Sequence, residues 1–226
     1  MTNNLLIRVI TSLILITILL ISLFLNELSW KILIIIFSFL CFYEFYNLIN
    51  KIFKNKIFII ITLFLIALYL YFFYFLLMNI RIEFGELVIL ILLITCILSD
   101  IGGYVIGKLF GGPKLTKISP NKTISGAAGS IIFTVFGSSI FVYYLKKFDE
   151  GMISLEFSAK IYIWLVMMSL FCQAGDLLIS YLKRKAKVKD TGVMLPGHGG
   201  ILDRVDGIIL GIPFGVLAFF LLELSV

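Results

Sequence analysis

The chain has 226 residues, of which 61% are hydrophobic and 14% charged, with a net charge of +6. An ordinary soluble domain is about 45–50% apolar and about 25% charged. The surplus of apolar residues exceeds what one soluble core can hold, so the chain reads as an integral membrane protein, and a soluble enzyme, a secreted disulfide scaffold and a disordered tail are excluded.

A bilayer core of roughly 30 Å takes about 20 apolar helical residues. Seven stretches qualify, at 5–25, 30–49, 57–80, 87–107, 126–145, 160–182 and 200–222. Ile, Val and Phe abound in them, but lipid-facing backbone groups must be satisfied within each segment, which forces helices. The expectation is an all-α polytopic protein of seven spans. Eight is the alternative, because the third stretch is long enough to tilt or kink. Residues 1–226 read as one transmembrane domain, with N-terminal spans over 1–86 and a catalytic half over 87–226. The run after Arg8 continues to Leu25, too long for a signal-peptide core and with no small-residue cleavage site after it, so no cleavable leader is expected. Cys41, Cys96 and Cys172 lie inside apolar runs and read as small core residues. The single histidine, His198, excludes a multi-histidine metal site within one chain.

Basic residues alternate between connections. Lys51, Lys54 and Lys56 surround the second; Lys108, Lys114, Lys117 and Lys122 the fourth; Lys183, Arg184, Lys185, Lys187 and Lys189 the sixth. These are twelve of the nineteen Lys and Arg residues. The positive-inside rule then puts the even connections and the N-terminus in the cytoplasm. Much of this charge serves as a topology anchor on an anionic leaflet.

Ionisable groups within spans are costly, by about 2.5–3.5 kcal/mol on insertion scales, and are functional candidates. Here they are Glu44, Asp100, Asp176, Asp203, Arg204 and Asp206. The topology sets Asp100, Asp176, Asp203, Arg204 and Asp206 at similar depth on the cytoplasmic side. Asp203 and Asp206 share a helical face, as do Asp100 and Tyr104. Several carboxylates so close repel unless a cation sits among them. Arg204 neutralises one, and a hard divalent ion such as magnesium accounts for the rest. Interhelical salt bridges are the structural alternative. Glu44 either reaches the interface from a helix end or supports the basic loops.

The fourth connection runs from Gly107 through Gly111-Gly112-Pro113-Lys114 to Ser119-Pro120-Asn121-Lys122-Thr123. Glycines permit close backbone approach, lysine and hydroxyls donate, and Ser119 or Thr123 can cap the fifth helix, whose N-terminus favours an anion. It reads as a phosphate cradle without the P-loop pattern, an ordinary polar loop with a helix cap being the alternative. The sixth connection is more specific: Ser180-Tyr181-Leu182-Lys183-Arg184, then Lys189-Asp190-Thr191-Gly192, then Leu195-Pro196-Gly197-His198-Gly199-Gly200-Ile201-Leu202-Asp203-Arg204-Val205-Asp206. Basic donors, backbone N–H groups and metal-type carboxylates in one stretch suit phosphoryl or nucleotidyl transfer, where catalysis is mostly positioning and charge stabilisation.

Position by position, Ser180–Asp206 resembles the signature of the phosphatidate cytidylyltransferases, the CDP-diacylglycerol synthases. Ser99-Asp100 with Tyr104 and Gly107, the Ser119–Thr123 loop and Gly175-Asp176-Leu177 with Ser180 are similar to other segments of that family. Arg8-Val9-Ile10 and Tyr43-Glu44-Phe45-Tyr46 resemble its N-terminal spans more loosely. The chain departs from the pattern at Ile124-Ser125, where the family usually carries an aromatic residue and a glutamate, and its stretch between Glu44 and Asp100 is short.

The resemblance implies an enzyme of phospholipid biosynthesis in the cell (inner) membrane, with its active site facing the cytoplasm. It would transfer CMP from CTP to phosphatidic acid, giving CDP-diacylglycerol and pyrophosphate. Magnesium is the implied cofactor, with a second cation left open. CTP, phosphatidic acid and the bilayer are the implied partners, nucleic acid is not, and a homodimer is left open. Asp176, Asp203 and Asp206 are the expected metal ligands and, with Lys189 and Arg204, the expected catalytic group. Ser119, Lys122 and Thr123 would hold substrate phosphates; Lys183, Arg184 and Lys189 would do likewise or hold the loop. His198, Gly199 and Gly200 would shape the nucleotide pocket. Ser180, Asp190, Asp100 and Tyr104 complete the expected substrate-binding set. Arg204 either receives the lipid phosphate or pairs with an aspartate. Two other readings stay open: a relative using CTP on another lipid, such as a polyprenol kinase or an ether-lipid cytidylyltransferase, and a cation transporter using the aspartates.

Overall fold

Asn26 ends the first apolar run and starts the second. Its side chain accepts from Ser29 N–H at 2.7 Å while the Ser29 hydroxyl lies 3.3 Å from Asn26 N, a reciprocal capping box. Asn55 caps the third helix by accepting from Ile57 N–H at 2.9 Å, and Gly85, at φ +81°, ends it. Such local signals divide the chain, in a computed structural model that describes residues 2–148, 157–197, 199–222 and 224 (of 2–5 and 148 the backbone alone), into seven helices. They are α1 (Thr2–Leu25), α2 (Glu27–Ile52), α3 (Lys56–Phe84), α4 (Glu86–Phe110), α5 (Ile124–Phe148), α6 (Ala159–Lys185) and α7 (Leu202–Leu221). Among the described residues there are two isolated β-bridges and no strand.

All seven helices are long and apolar enough to cross a membrane, so the protein is an all-α, multi-pass membrane protein. The third stretch is one unbroken helix of 29 residues. At 1.5 Å per residue it runs about 43 Å, longer than a bilayer core, which tilt accommodates without an eighth span. Most helices extend beyond their apolar runs because caps, not hydropathy, set their ends. α7 starts later than its apolar run, since Gly199 lies at φ +86° in the preceding turn. The three cysteines are free and buried.

The helices sort into two compact units. The first comprises residues 1–86 and 182–205. Within it α2 packs against both α1 and α3. Arg81 near the end of α3 is buried and donates from Nη2 to the Leu23 carbonyl in the last turn of α1 at 3.0 Å and to Glu86 Oε1 at 3.1 Å. A helix-terminal carbonyl without an intrahelical partner is thus satisfied.

The second unit comprises residues 87–181 and 206–226. Small residues bring its helices close. A Cβ at Gly102 of α4 would overlap the Gly129 carbonyl of α5, and one at Gly129 would overlap Ile106. A Cβ at Gly215 of α7 would overlap Met168 of α6. Buried polar pairs add to this: Ser99 with Ser169 at 3.0 Å, Ser138 with Thr95 at 3.1 Å, and Trp164 Nε1 donating to the Gly215 carbonyl at 2.8 Å. Close approach and interhelical hydrogen bonds are what hold helices together where lipid is as apolar as the side chains.

Candidate active site

In the second unit, α4, the α4–α5 connection, the start of α5 and α6 line a cavity of about 310 Å³. The connection is folded back on itself. Leu115 N–H donates to the Lys122 carbonyl at 2.8 Å and Ile124 N–H to the Pro113 carbonyl at 3.0 Å. Gly111 and Gly112 supply the positive φ values, +59° and +107°, that turn the chain out of α4. Thr123 is the residue that caps α5, accepting from Gly126 N–H at 3.0 Å. Ser125 donates to the Gly111 carbonyl and lies 2.9 Å from Thr123 Oγ1, tying the departing position of the motif into the loop.

Asp100 and Tyr104 from α4, Ser119, Lys122 and Thr123 from the connection, and Asp176 from α6 all line this cavity. Lys122 makes an ion pair with Asp176, whose Oδ1 also accepts from the Ser180 hydroxyl at 3.3 Å. The cavity thus has a cationic and hydroxyl wall at the N-terminus of α5 and an acidic wall formed by α4 and α6. Asn121 and Gly126, part of the cradle stretch but given no role of their own, line it too, as do Ser130 and Gln173, which the sequence did not single out. Gln173 was detectable by spacing, three residues before Asp176 on the same helix. Its amide donates to the Ala127 carbonyl at 3.3 Å and to Ser169 Oγ at 3.2 Å. Asp206 begins the part of α7 that belongs to this unit, and its Oδ1 accepts from Gly207 N–H at 2.9 Å. A Cβ at Gly207 would lie 3.5 Å from Asp100 Oδ1, so this turn of α7 runs beside the acidic wall.

The first unit holds the other half of the motif. α6 ends at Lys185, and Lys187, at φ +57°, closes it: Val188 N–H donates to the Lys183 carbonyl and Lys187 N–H to the Arg184 carbonyl, a Schellman stop. The chain then makes a tight turn in which Leu195 and Gly199 exchange backbone hydrogen bonds at 2.9 and 3.2 Å. Asp203, in the first turn of α7, gathers the donors of this segment. Oδ1 accepts from Lys183 Nζ at 2.7 Å; Oδ2 accepts from Thr191 N–H at 2.8 Å and Gly200 N–H at 3.1 Å. Behind it Glu44 of α2 accepts from Ile201 N–H at 2.8 Å and Leu202 N–H at 3.0 Å. The Thr191 hydroxyl lies between the two carboxylates, 2.6 Å from Glu44 Oε2 and 3.0 Å from Asp203 Oδ2. Arg184, Lys189, Asp190 and Arg204 are exposed around this core, and His198 lies outside the described residues.

Among the described residues no group of three or more His, Cys, Asp or Glu side chains is gathered to hold a metal ion. The cavity of the second unit nevertheless suits magnesium, which takes one or two carboxylates and completes its shell with substrate phosphate and water. Asp100 and Asp176 offer those carboxylates on the cavity wall. Asp176 would first release Lys122 or Ser180, and Asp203 likewise has both oxygens accepting hydrogen bonds.

Residues 50–222 match the model of the cytidylyltransferase family. The chain is 43% identical over 141 residues to a phosphatidate cytidylyltransferase of Helicobacter pylori strain J99, covering 62% of this chain and 50% of that one. It is 41% identical over 133 residues to the protein of that name from Rickettsia felis (55% of this chain, 56% of that one). With that of Bacillus subtilis strain 168 it shares 41% over 134 residues (56% and 44%). The chain therefore spans about half the length of the curated relatives it matches. The family match runs from before α3 to the end of α7 and takes in both the cavity and the Asp203 turn, and on it the chain belongs to the cytidylyltransferase family.

Proposed function

We propose that the protein transfers the cytidylyl group of CTP to phosphatidic acid, releasing pyrophosphate and leaving CDP-diacylglycerol in the membrane. The observation that carries this reading is the cavity whose one wall is Ser119, Lys122, Thr123 and the N-terminus of α5, and whose other wall is Asp100 and Asp176. A nucleoside triphosphate needs both walls: donors for its phosphate oxygens, and carboxylates for the cation it carries.

In this reading an oxygen of the lipid phosphate attacks the α-phosphorus of CTP in line. The new P–O bond forms as the α–β bridge breaks, and pyrophosphate leaves with the electron pair. Lys122, now paired with Asp176, turns to the triphosphate, and Ser119, Thr123 and the first N–H groups of α5 orient it. Asp176 and Asp100 would hold magnesium, with Asp206 beside them. Bound there, magnesium would offset phosphate charge and stabilise the leaving pyrophosphate. Gly199 and Gly200, with His198 as the motif implies, would contact the nucleotide, and Lys183 would hold Asp203. The exposed Arg184, Lys189 and Arg204 would meet anionic substrate or lipid phosphate, and Tyr104 the mouth of the cavity. Ser180 supports Asp176, and the exposed Asp190 would meet substrate. The basic connections support a cytoplasmic orientation of these groups, at the inner membrane, by the positive-inside rule.

The test is purified protein in detergent with labelled CTP, phosphatidic acid and magnesium. CDP-diacylglycerol and pyrophosphate are expected in equal amounts, abolished by chelation and by Asp176→Asn. No product from folded wild-type protein with phosphatidic acid would overturn the reading. Product with another lipid acceptor would redirect it to a related transferase, and cation flux into liposomes without CTP to a transporter.

A further inference from the structure

Glu44 is a carboxylate 1% exposed in the second of seven apolar helices, and it precedes the segment that matches the family, which starts at residue 50. A buried charge in a span is costly unless it is partnered. Among the described residues its hydrogen bonds come from one distant segment: Thr191 Oγ1 at 2.6 Å, Ile201 N–H at 2.8 Å and Leu202 N–H at 3.0 Å. The two N–H groups belong to the start of α7, where Ile201 has no side-chain oxygen to serve as a cap. A carboxylate from another helix takes that role and also meets the positive end of the α7 dipole.

The turn is shaped to this carboxylate. A Cβ at Gly192 would lie 2.7 Å from Glu44 Oε1. A Cβ at Gly200 would overlap the Glu44 oxygens and Thr191 Oγ1. Those glycines are needed for close approach to Glu44, independently of any ligand. Through Thr191, whose single hydroxyl proton serves either carboxylate, Glu44 is linked to Asp203 and so to Lys183.

We infer that Glu44 is a positioning residue that clamps the Thr191–Leu202 turn to α2 and sets the geometry of Gly200 and Asp203 for the nucleotide. The effect on catalysis rests on the function proposed above; the clamp itself does not.

The experiment reads both. Val193, 94% exposed on the turn, is replaced by cysteine and carries a nitroxide label. Cys41, Cys96 and Cys172 are buried, so labelling is confined to the turn. Glu44→Gln and Thr191→Val are expected to narrow the spectrum of the label, and Thr191→Ser to restore it. In the unlabelled enzyme Glu44→Gln and Thr191→Val should raise KM for CTP about tenfold, the loss of about one net hydrogen bond, with KM for phosphatidic acid unchanged and Thr191→Ser near wild type. Spectra of both variants that overlay the wild type would overturn the clamp. So would a loss confined to the fraction of active protein with both KM values unchanged, the mark of a purely structural residue. If Glu44→Gln does not fold, Thr191→Val alone decides. If wild type turns over no CTP, the proposed function falls, and label mobility alone decides for or against the clamp.

Discussion

Asp203→Asn tests how the turn is held. The carboxylate and Lys183 are 6% and 16% exposed in their side chains and lie 2.7 Å apart. An asparagine has the same shape but one acceptor fewer. If its oxygen keeps Thr191 and Gly200 N–H, its NH2 faces the Lys183 ammonium; if it flips, the NH2 faces two backbone donors. Either way a charge-assisted hydrogen bond is lost and a mostly buried lysine is left without its partner. Hydrogen bonds to charged groups contribute about 1.5–3 kcal/mol, so we expect a loss of about 2–3 kcal/mol. At roughly 2–4 °C per kcal/mol for a protein of this size, that is a drop of about 4–12 °C in Tm. Thermal unfolding in detergent, followed by fluorescence-detected size exclusion, measures it. Removing both charges of a buried pair is often close to neutral, so Asp203→Asn/Lys183→Met should lie above the sum of the single losses. An Asp203→Asn protein that melts with the wild type, or a double variant that shows simple additivity, would refute the reasoning.

Lys122→Met removes the cation from the cavity wall while freeing Asp176; kcat/KM for CTP should fall about 10²–10³-fold, as for loss of one preorganised donor, while the magnesium requirement should not rise, and steady-state kinetics over a magnesium series checks both. Gly129→Val places side-chain atoms against Ile106 and the Gly102 carbonyl and should destabilise the second unit by about 1–3 kcal/mol or more, read as lost monodisperse yield and lower Tm. Arg81→Met leaves the Leu23 carbonyl and Glu86 without their donor and should cost about 2–3 kcal/mol with KM values unchanged, checked by melting and kinetics together.

The number and kind of spans were legible in the sequence because lipid allows one local solution, a helix that satisfies its own backbone. Caps were partly legible: Thr123 before α5 was one of two candidates, and its side-chain oxygen is itself the signal. The acidic and basic members of the cavity were legible as well, since charge within an apolar run is conspicuous. The partnerships were not. Lys122 with Asp176 and Lys183 with Asp203 each join residues far apart in the chain. Glu44 and Thr191 are 147 residues apart, and no local pattern records their contact. Two of Glu44's three hydrogen bonds and two of Asp203's come from backbone N–H groups, which every non-proline residue carries and which leave no trace in composition. Sequence alone therefore determined in which solvent the chain folds and which charged side chains its spans carry. Tertiary structure decided which carboxylates face a cavity and which are consumed in holding a turn, because that depends on where distant backbone donors come to rest.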